Sequence, residues 1–358
     1  MKVKSKKYSI IEVYEDNFIS EIKRIGEYIK AYPYIGMDTE FPGTVYPLQN
    51  YCDDFYYKYI KINIDKLKLI QLGITLCNSK GETAKEGSSW QFNLKFNVEK
   101  DLHSNDSITM LSNSGIDFNY LKKKGIPHNI FAEYFLTSGL VLNDEITWIS
   151  FNGLSDFAYL LRLCLNYDLP ENPDNFISNL EMYFPNFYDI KILVTVDDNL
   201  KGGLNKLAQQ LNVERFGDIH QAGSDSIVTA QVFFKMNFMN LISKDELIER
   251  KNILFGIGKG ADNNETYQYT MFANTINMNN PINNNNTINH MAFNNNYGNF
   301  YSNSNMNINN NNNTNYNNND EQLMYNPYLN MNNQYEENQN NSYQYNMNIG
   351  YGNNQVFF

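Results

Sequence analysis

Three cysteines in 358 residues, Cys52, Cys77 and Cys164, are too few and too irregularly spaced for a disulfide framework, a CxxC redox pair or a thiolate metal site. An odd, sparse set of this kind reads as reduced thiols in a cytosolic or nuclear setting. Positive charge is also scarce. Lys and Arg number 28 against 39 Asp and Glu, a formal net charge of −11. That excludes a protein that holds nucleic acid through a broadly basic surface. It leaves open a metal-dependent phosphodiester-cleaving site, which is itself built from carboxylates. Long apolar runs are missing too: nothing approaches the roughly 18 residues of a membrane-crossing helix, and the basic start MKVKSKKYSIIEVYED has no apolar stretch of the signal-peptide kind.

Hydrophobic residues make up 42 % of the chain, yet its mean hydropathy is −0.53. The C-terminal stretch reconciles the two. Residues 261–358 contain 38 Asn, no Lys or Arg and six acids, which leaves 28 bases and 33 acids on residues 1–260, a net of −5. Asn/Tyr/Met-rich sequence without period buries too little apolar surface to offset chain entropy, so 261–358 is expected to be a disordered, low-complexity tail, with self-association as one possible role and no role as the other. Residues 1–260 are long enough for one full core.

Within 1–260, Phe18, Ile22, Ile25 and Ile29 recur at helical spacing, with Asp16 as the expected N-cap and Pro33 as the stop. Strands are expected at 34–38, 67–77, 90–96, 147–151 and 188–190, with a loop and short helix over 51–62. Three short helices are expected within 106–140, broken at Gly115 and Pro127, and further helices at 154–165, 175–183, 204–211 and 224–239. Early strands in a meander with interleaved helices give an α/β fold with a mixed sheet.

The chemistry resides in acids. Asp38-Thr39-Glu40 ends a buried strand, so two carboxylates point to one side. Such a pair is unfavourable beside an apolar body unless a positive species sits between, and hard oxygen ligands favour Mg²⁺ or Mn²⁺. Alone, the motif reads sooner as an exposed strand end with solvated acids. Asp156 lies in the first turn of a helix, where an acid also simply favours the helix dipole. His220 precedes Asp225 by five positions at the mouth of another helix. A histidine beside an acid can be a tuned general base, or an ordinary surface residue. His103, His128 and His290 have no comparable context. The order of these elements changes their weight: four carboxylates can hold two divalent cations that clamp an in-line phosphoryl displacement, with a histidine to take the water's proton.

On these motifs the chain resembles the DEDD-type RNase H-like 3′–5′ exonucleases whose fifth residue is His, and among them the Caf/Pop family of poly(A)-specific ribonucleases, catalytic subunits of the Ccr–Not deadenylase complex. The resemblance runs over residues 8–257 through MDTEFPG (37–43), LKLIQLGITL (67–76), SSWQFNLKFN (88–97), DSITMLSNSGIDF (106–118), FAEYFLTSGLVL (131–142), YDIKIL (188–193), NLKGGLNKLAQQL (199–211) and IHQAGSDSIVTAQVFFKM (219–236). It implies an RNase H-like mixed sheet surrounded by helices, Asp38, Glu40, Asp156 and Asp225 as ligands of two divalent cations, Mg²⁺ or Mn²⁺, and His220 as general base. It implies hydrolysis that shortens mRNA poly(A) tails in decay and translational repression. The partners implied are poly(A) RNA, a helical-repeat Not scaffold and a leucine-rich-repeat deadenylase, with no membrane. The place implied is cytoplasmic, processing bodies included, and nuclear.

Stacking and backbone contacts suffice to hold a homopolymer, with the 2′-OH marking RNA. Phe41 is placed to pack beside the terminal nucleotide. Lys201, before Gly202-Gly203, is the nearby cation for a phosphate, the glycines serving either close approach or a plain turn. Two departures stand out. Asn152 and Ser155 occupy positions where the family has His and Tyr, and ERFGDIHQ (214–221) lacks the usual Pro, so a small loop change is expected. The competing readings are a non-catalytic scaffold subunit, which should have lost an acid, and a granule-forming protein driven by its tail.

Overall fold

The computed structural model describes residues 8–47, 54–84, 88–196, 200 and 202–257. Cys52, Lys201 and the 261–358 segment lie outside the described residues. Six strands, β1 (Ser9–Val13), β2 (Tyr34–Glu40), β3 (Gln71–Cys77), β4 (Ser88–Asn93), β5 (Thr147–Ser150) and β6 (Phe187–Asp189), form one sheet in the order β1-β4-β3-β2-β5-β6. The meander β2-β3-β4 is antiparallel, while β1 on β4, β5 on β2 and β6 on β5 are parallel.

The helices are α1 (Phe18–Tyr28), α2 (Phe55–Ile64), α3 (Asn105–Asn113), α4 (Phe118–Lys124), α5 (His128–Thr137), α6 (Leu154–Leu165), α7 (Pro173–Tyr183), α8 (Ile190–Leu193), α9 (Leu204–Gln210), α10 (Ala222–Phe238) and α11 (Lys244–Glu249). No helix among the described residues is long and apolar enough to cross a membrane. Cys77 and Cys164 are buried.

Aromatic side chains fill the larger core. Phe131 stacks on Phe18 and Phe135, and Trp148 meets Phe135 and Phe184 edge-on. A second core of Ile149, Val228, Val232 and Leu193 lies beneath α10. Seating α10 is what builds the site. A Cβ on Gly73 would stand 1.9 Å from the Ala222 carbonyl oxygen, and one on Gly36 would stand 2.6 Å from Ala230 Cβ. Only glycine lets the helix lie this close to β2 and β3.

The start of α10 has no side-chain cap of its own. Glutamines from the sheet replace it: Gly223 N–H donates to Gln91 Oε1 at 2.8 Å, and Ala222 N–H to Gln71 Oε1 at 3.4 Å. These satisfy first-turn donors that a helix leaves open. Glu12 on β1 orients the amides, accepting from Gln91 Nε2 at 3.0 Å and Asn93 Nδ2 at 2.7 Å.

The structure corrects the expected cap of α1. Asn17, not Asp16, precedes the helix; its Oδ1 accepts from Tyr14 N–H at 2.8 Å, while Asp16 pairs with Lys124 at 2.8 Å.

Candidate active site

Asp38 and Glu40 leave β2 on the same side, opposite Gly73 and Gln71 of β3. Asp225 reaches them from the first turn of α10, and one carboxylate oxygen of each of the three lies within 4.8 Å of the others. The fourth acid, Asp156, comes from the first turn of α6. Its Oδ1 accepts from Thr39 Oγ1 at 2.5 Å, so the residue between the two strand acids ties α6 to β2. Glu40, Asp156 and Asp225 are buried, and Asp38 is half-buried.

Burial is the largest effect on their ionisation. It pushes Asp38 well above the usual carboxylate range, with Asp156, Glu40 and Asp225 adding to it and Arg215 opposing. It raises Glu40 to about 8, again helped by Asp225 and Asp156. It raises Asp156 to about 6, against the bond from Thr39. Each raised value means that the folded protein binds protons more tightly than the unfolded chain. Stability therefore falls as pH rises between about 4.3, the ordinary glutamate value, and about 8. The metal-free protein should lose on the order of a few kcal/mol across that window, and Mg²⁺ at pH 8 should restore it. Melting temperatures in EDTA at pH 5, 6.5 and 8, with and without excess Mg²⁺, check this; a metal-free protein that gains stability towards pH 8 contradicts it.

The chemistry of the donor set suits hard divalent cations. The four ligand candidates are carboxylates, with no thiol or imidazole among them, and among the described residues the Arg215 guanidinium is the cation that opposes their crowded charge at Asp38. Asp38, Glu40, Asp156 and Asp225 would hold such ions.

His220 stands at the rim. Its main-chain N–H donates to Asp225 Oδ2 at 2.9 Å, its backbone is left-handed at φ +62°, and its ring is exposed. The loop before it turns at Gly217, with φ +87°. Phe41 packs on Tyr159, ring centroids 5.2 Å apart, and is half-buried. Gly203 is the N-cap of α9, with open space where a Cβ would go, while a Cβ on Gly202 would stand 2.7 Å from Lys206.

Two residues escaped the sequence reading. Asp189 is fully buried and accepts main-chain N–H bonds from Asn152, Gly153, Lys191 and Phe255. It thereby fixes the β5–α6 turn ahead of Asp156, where Asn152 sits at φ +58°, a backbone that Asn tolerates. Arg215 pairs with Asp225 at 2.6 Å. An acid closing a strand was the available signal for Asp189; a lone arginine ten positions before an acid offered none.

Comparison with known proteins agrees with this geometry. The family model described as CAF1 family ribonuclease matches residues 13–133 and 139–233. The chain is 40 % identical over 265 residues to the probable CCR4-associated factor 1 homolog 7 of Arabidopsis thaliana, covering 72 % of this chain and 96 % of that one. It is 40 % identical over 254 residues to the poly(A) ribonuclease pop2 of Schizosaccharomyces pombe, covering 70 % and 75 %. Its fold matches the solved S. pombe Pop2p in its Mg²⁺- and Mn²⁺-bound form, with TM-score 0.65 and 38 % identity over 69 % of this chain and 99 % of that one. It also matches the structure of the yeast NOT1 MIF4G domain co-crystallised with CAF1, with TM-score 0.60 and 26 % identity over 69 % and 96 %. The RNase H-like mixed sheet with surrounding helices is the fold observed, and the chain belongs to the CAF1 family of ribonucleases.

Proposed function

We propose that the chain is a 3′–5′ exoribonuclease that shortens mRNA poly(A) tails by metal-dependent hydrolysis, releasing AMP, as a subunit of a CCR4-NOT complex in mRNA decay and translational repression. The observation that carries this reading is the convergence of Asp38, Glu40, Asp156 and Asp225 from β2, α6 and α10 at one buried place. When bound there, two cations, Mg²⁺ or Mn²⁺, would acidify the attacking water and clamp the attacking and leaving oxygens.

The chain's own residues do the rest. Asp225 and Asp156, held by α10 and α6, bring their carboxylates to the pair on β2. The exposed ring of His220 is free to take the proton of the attacking water. Phe41, braced on Tyr159, presents a ring beside the terminal nucleotide, and Lys201 is the cation offered to a phosphate. The acidic body gives weak affinity for RNA by itself, so partners deliver the substrate. That supports a Not scaffold subunit, in line with the NOT1–CAF1 structure, and a leucine-rich-repeat deadenylase. Residues 1–260 form the catalytic unit and 261–358 the low-complexity tail, and the protein works in the cytoplasm, processing bodies included, and in the nucleus.

A time course on 5′-labelled RNA ending in poly(A) tests the reading. A ladder shortening one nucleotide at a time, present with Mg²⁺ and stopped by EDTA, is expected. Internal cuts, or full activity in EDTA, refute it.

A further inference from the structure

Asp225 is gripped on both oxygens by the loop that precedes α10. Arg215 Nη2 donates to Asp225 Oδ1 at 2.6 Å, and the His220 main-chain N–H donates to Oδ2 at 2.9 Å. The guanidinium spreads further: Nη1 donates to Ser224 Oγ at 3.0 Å, and Nη2 also reaches Asn205 Oδ1 on α9. Ser224 Oγ in turn donates to the Phe216 carbonyl at 2.7 Å. Both ends of the ion pair are largely buried, with side-chain exposures of 19 % for Arg215 and 10 % for Asp225.

We propose that Arg215 is the positioning residue that locks the histidine-bearing loop to the acid site. One planar fork fixes the Asp225 carboxylate and, in the same grip, joins α9, the start of α10 and the 212–221 loop. The loop needs such a tie. Gly217 and His220 both have left-handed backbones, at φ +87° and φ +62°, and the residues from Gly217 to His220 are exposed. Little apolar burial holds the imidazole in place. A guanidinium suits the task because it presents several donors in a rigid plane, whereas an ammonium is a point charge. Groups that hydrogen-bond a ligating carboxylate from behind orient it, and their loss typically reduces metal affinity or activity by about 10- to 100-fold.

This rests on the reading of His220 as general base, so the test carries one readout from the loop and one from the reaction. In the full chain, Arg215→Met and Arg215→Lys are compared with the wild type. The first readout is the ring ¹H–¹³C spectrum of the four histidines, with the His220 signal identified from His220→Asn. In both variants that signal should move or split, while those of His103 and His128 stay. The second is the rate on 5′-labelled poly(A) at saturating Mg²⁺: kcat should fall about 10- to 100-fold with KM little changed.

A Lys variant at wild-type rate would show that charge alone matters and overturn the proposal. So would a raised KM with kcat kept, which marks an RNA contact, or an unmoved His220 signal. If the wild type cleaves no poly(A), the deadenylase reading falls, and the spectrum still decides whether Arg215 holds the loop. Should Arg215→Met fail to fold, Asn205→Ala at an exposed position removes one arm of the fork. A kcat loss of roughly threefold or more at unchanged melting temperature then supports the proposal, and an unchanged kcat overturns it.

Discussion

Asp38→Ala should yield a folded protein that no longer shortens poly(A). The expected loss is about 10³-fold or more, equivalent to roughly 4 kcal/mol of barrier. Removing Asp38 takes one carboxylate from the set that would hold the cations, and its neighbour Thr39, a hydroxyl spent on Asp156, cannot replace it. The effect on folding should have the opposite sign. Asp38 is crowded by Asp156, Glu40 and Asp225, with one guanidinium to offset them. Deleting it relieves repulsion, so the metal-free melting temperature should hold or rise. Glu40→Ala should behave alike. Activity and melting curves in EDTA, measured on the same preparations, check both halves; a large fall in the metal-free melting temperature would make these acids structural.

Loss of the His220 imidazole should lower the rate by about 10²- to 10⁴-fold, the usual worth of a general base, while divalent-ion affinity barely changes. The structure refines the choice of variant. His220 touches Asp225 through its main-chain N–H, which any substitution but proline keeps, and its ring is exposed. Its φ of +62° is a conformation that alanine adopts with strain and asparagine with ease. His220→Asn is therefore the cleaner removal, and His220→Ala the stricter one. In both, the acid limb that belongs to the histidine should vanish from the pH–rate profile. Near-normal cleavage at neutral pH, or outright loss of metal binding, would make His220 a structural residue.

Most of the helices were legible because they carry a local signal. The apolar spacing of Leu154–Leu165 matches α6 to the residue, and Gly115 and Pro127 separate α3, α4 and α5 as expected. One local signal was overlooked: Ser243 and Glu246 make the capping box of α11. Strand β1 was not legible. Ser9–Val13 is short and partly exposed, and it is a strand because β4 offers a parallel partner. The cap of α1 failed for a related reason. Asp16 and Asn17 are both good caps, and tertiary contacts chose between them, with Lys124 taking Asp16.

The sequence by itself determined most of the helices, five of the six strands and the acid and histidine candidates, since residue type, spacing and order are all that those inferences use. Only the tertiary structure decided what makes a site of them. Gly36 and Gly73 let α10 lie on the sheet, Gln71 and Gln91 cap it from β3 and β4, Asp189 holds the turn before Asp156, and Arg215 grips Asp225. Each of these contacts joins residues of separate elements, most of them far apart in the chain. Their partners follow from how helices and sheet pack, which spacing along one strand or helix does not encode.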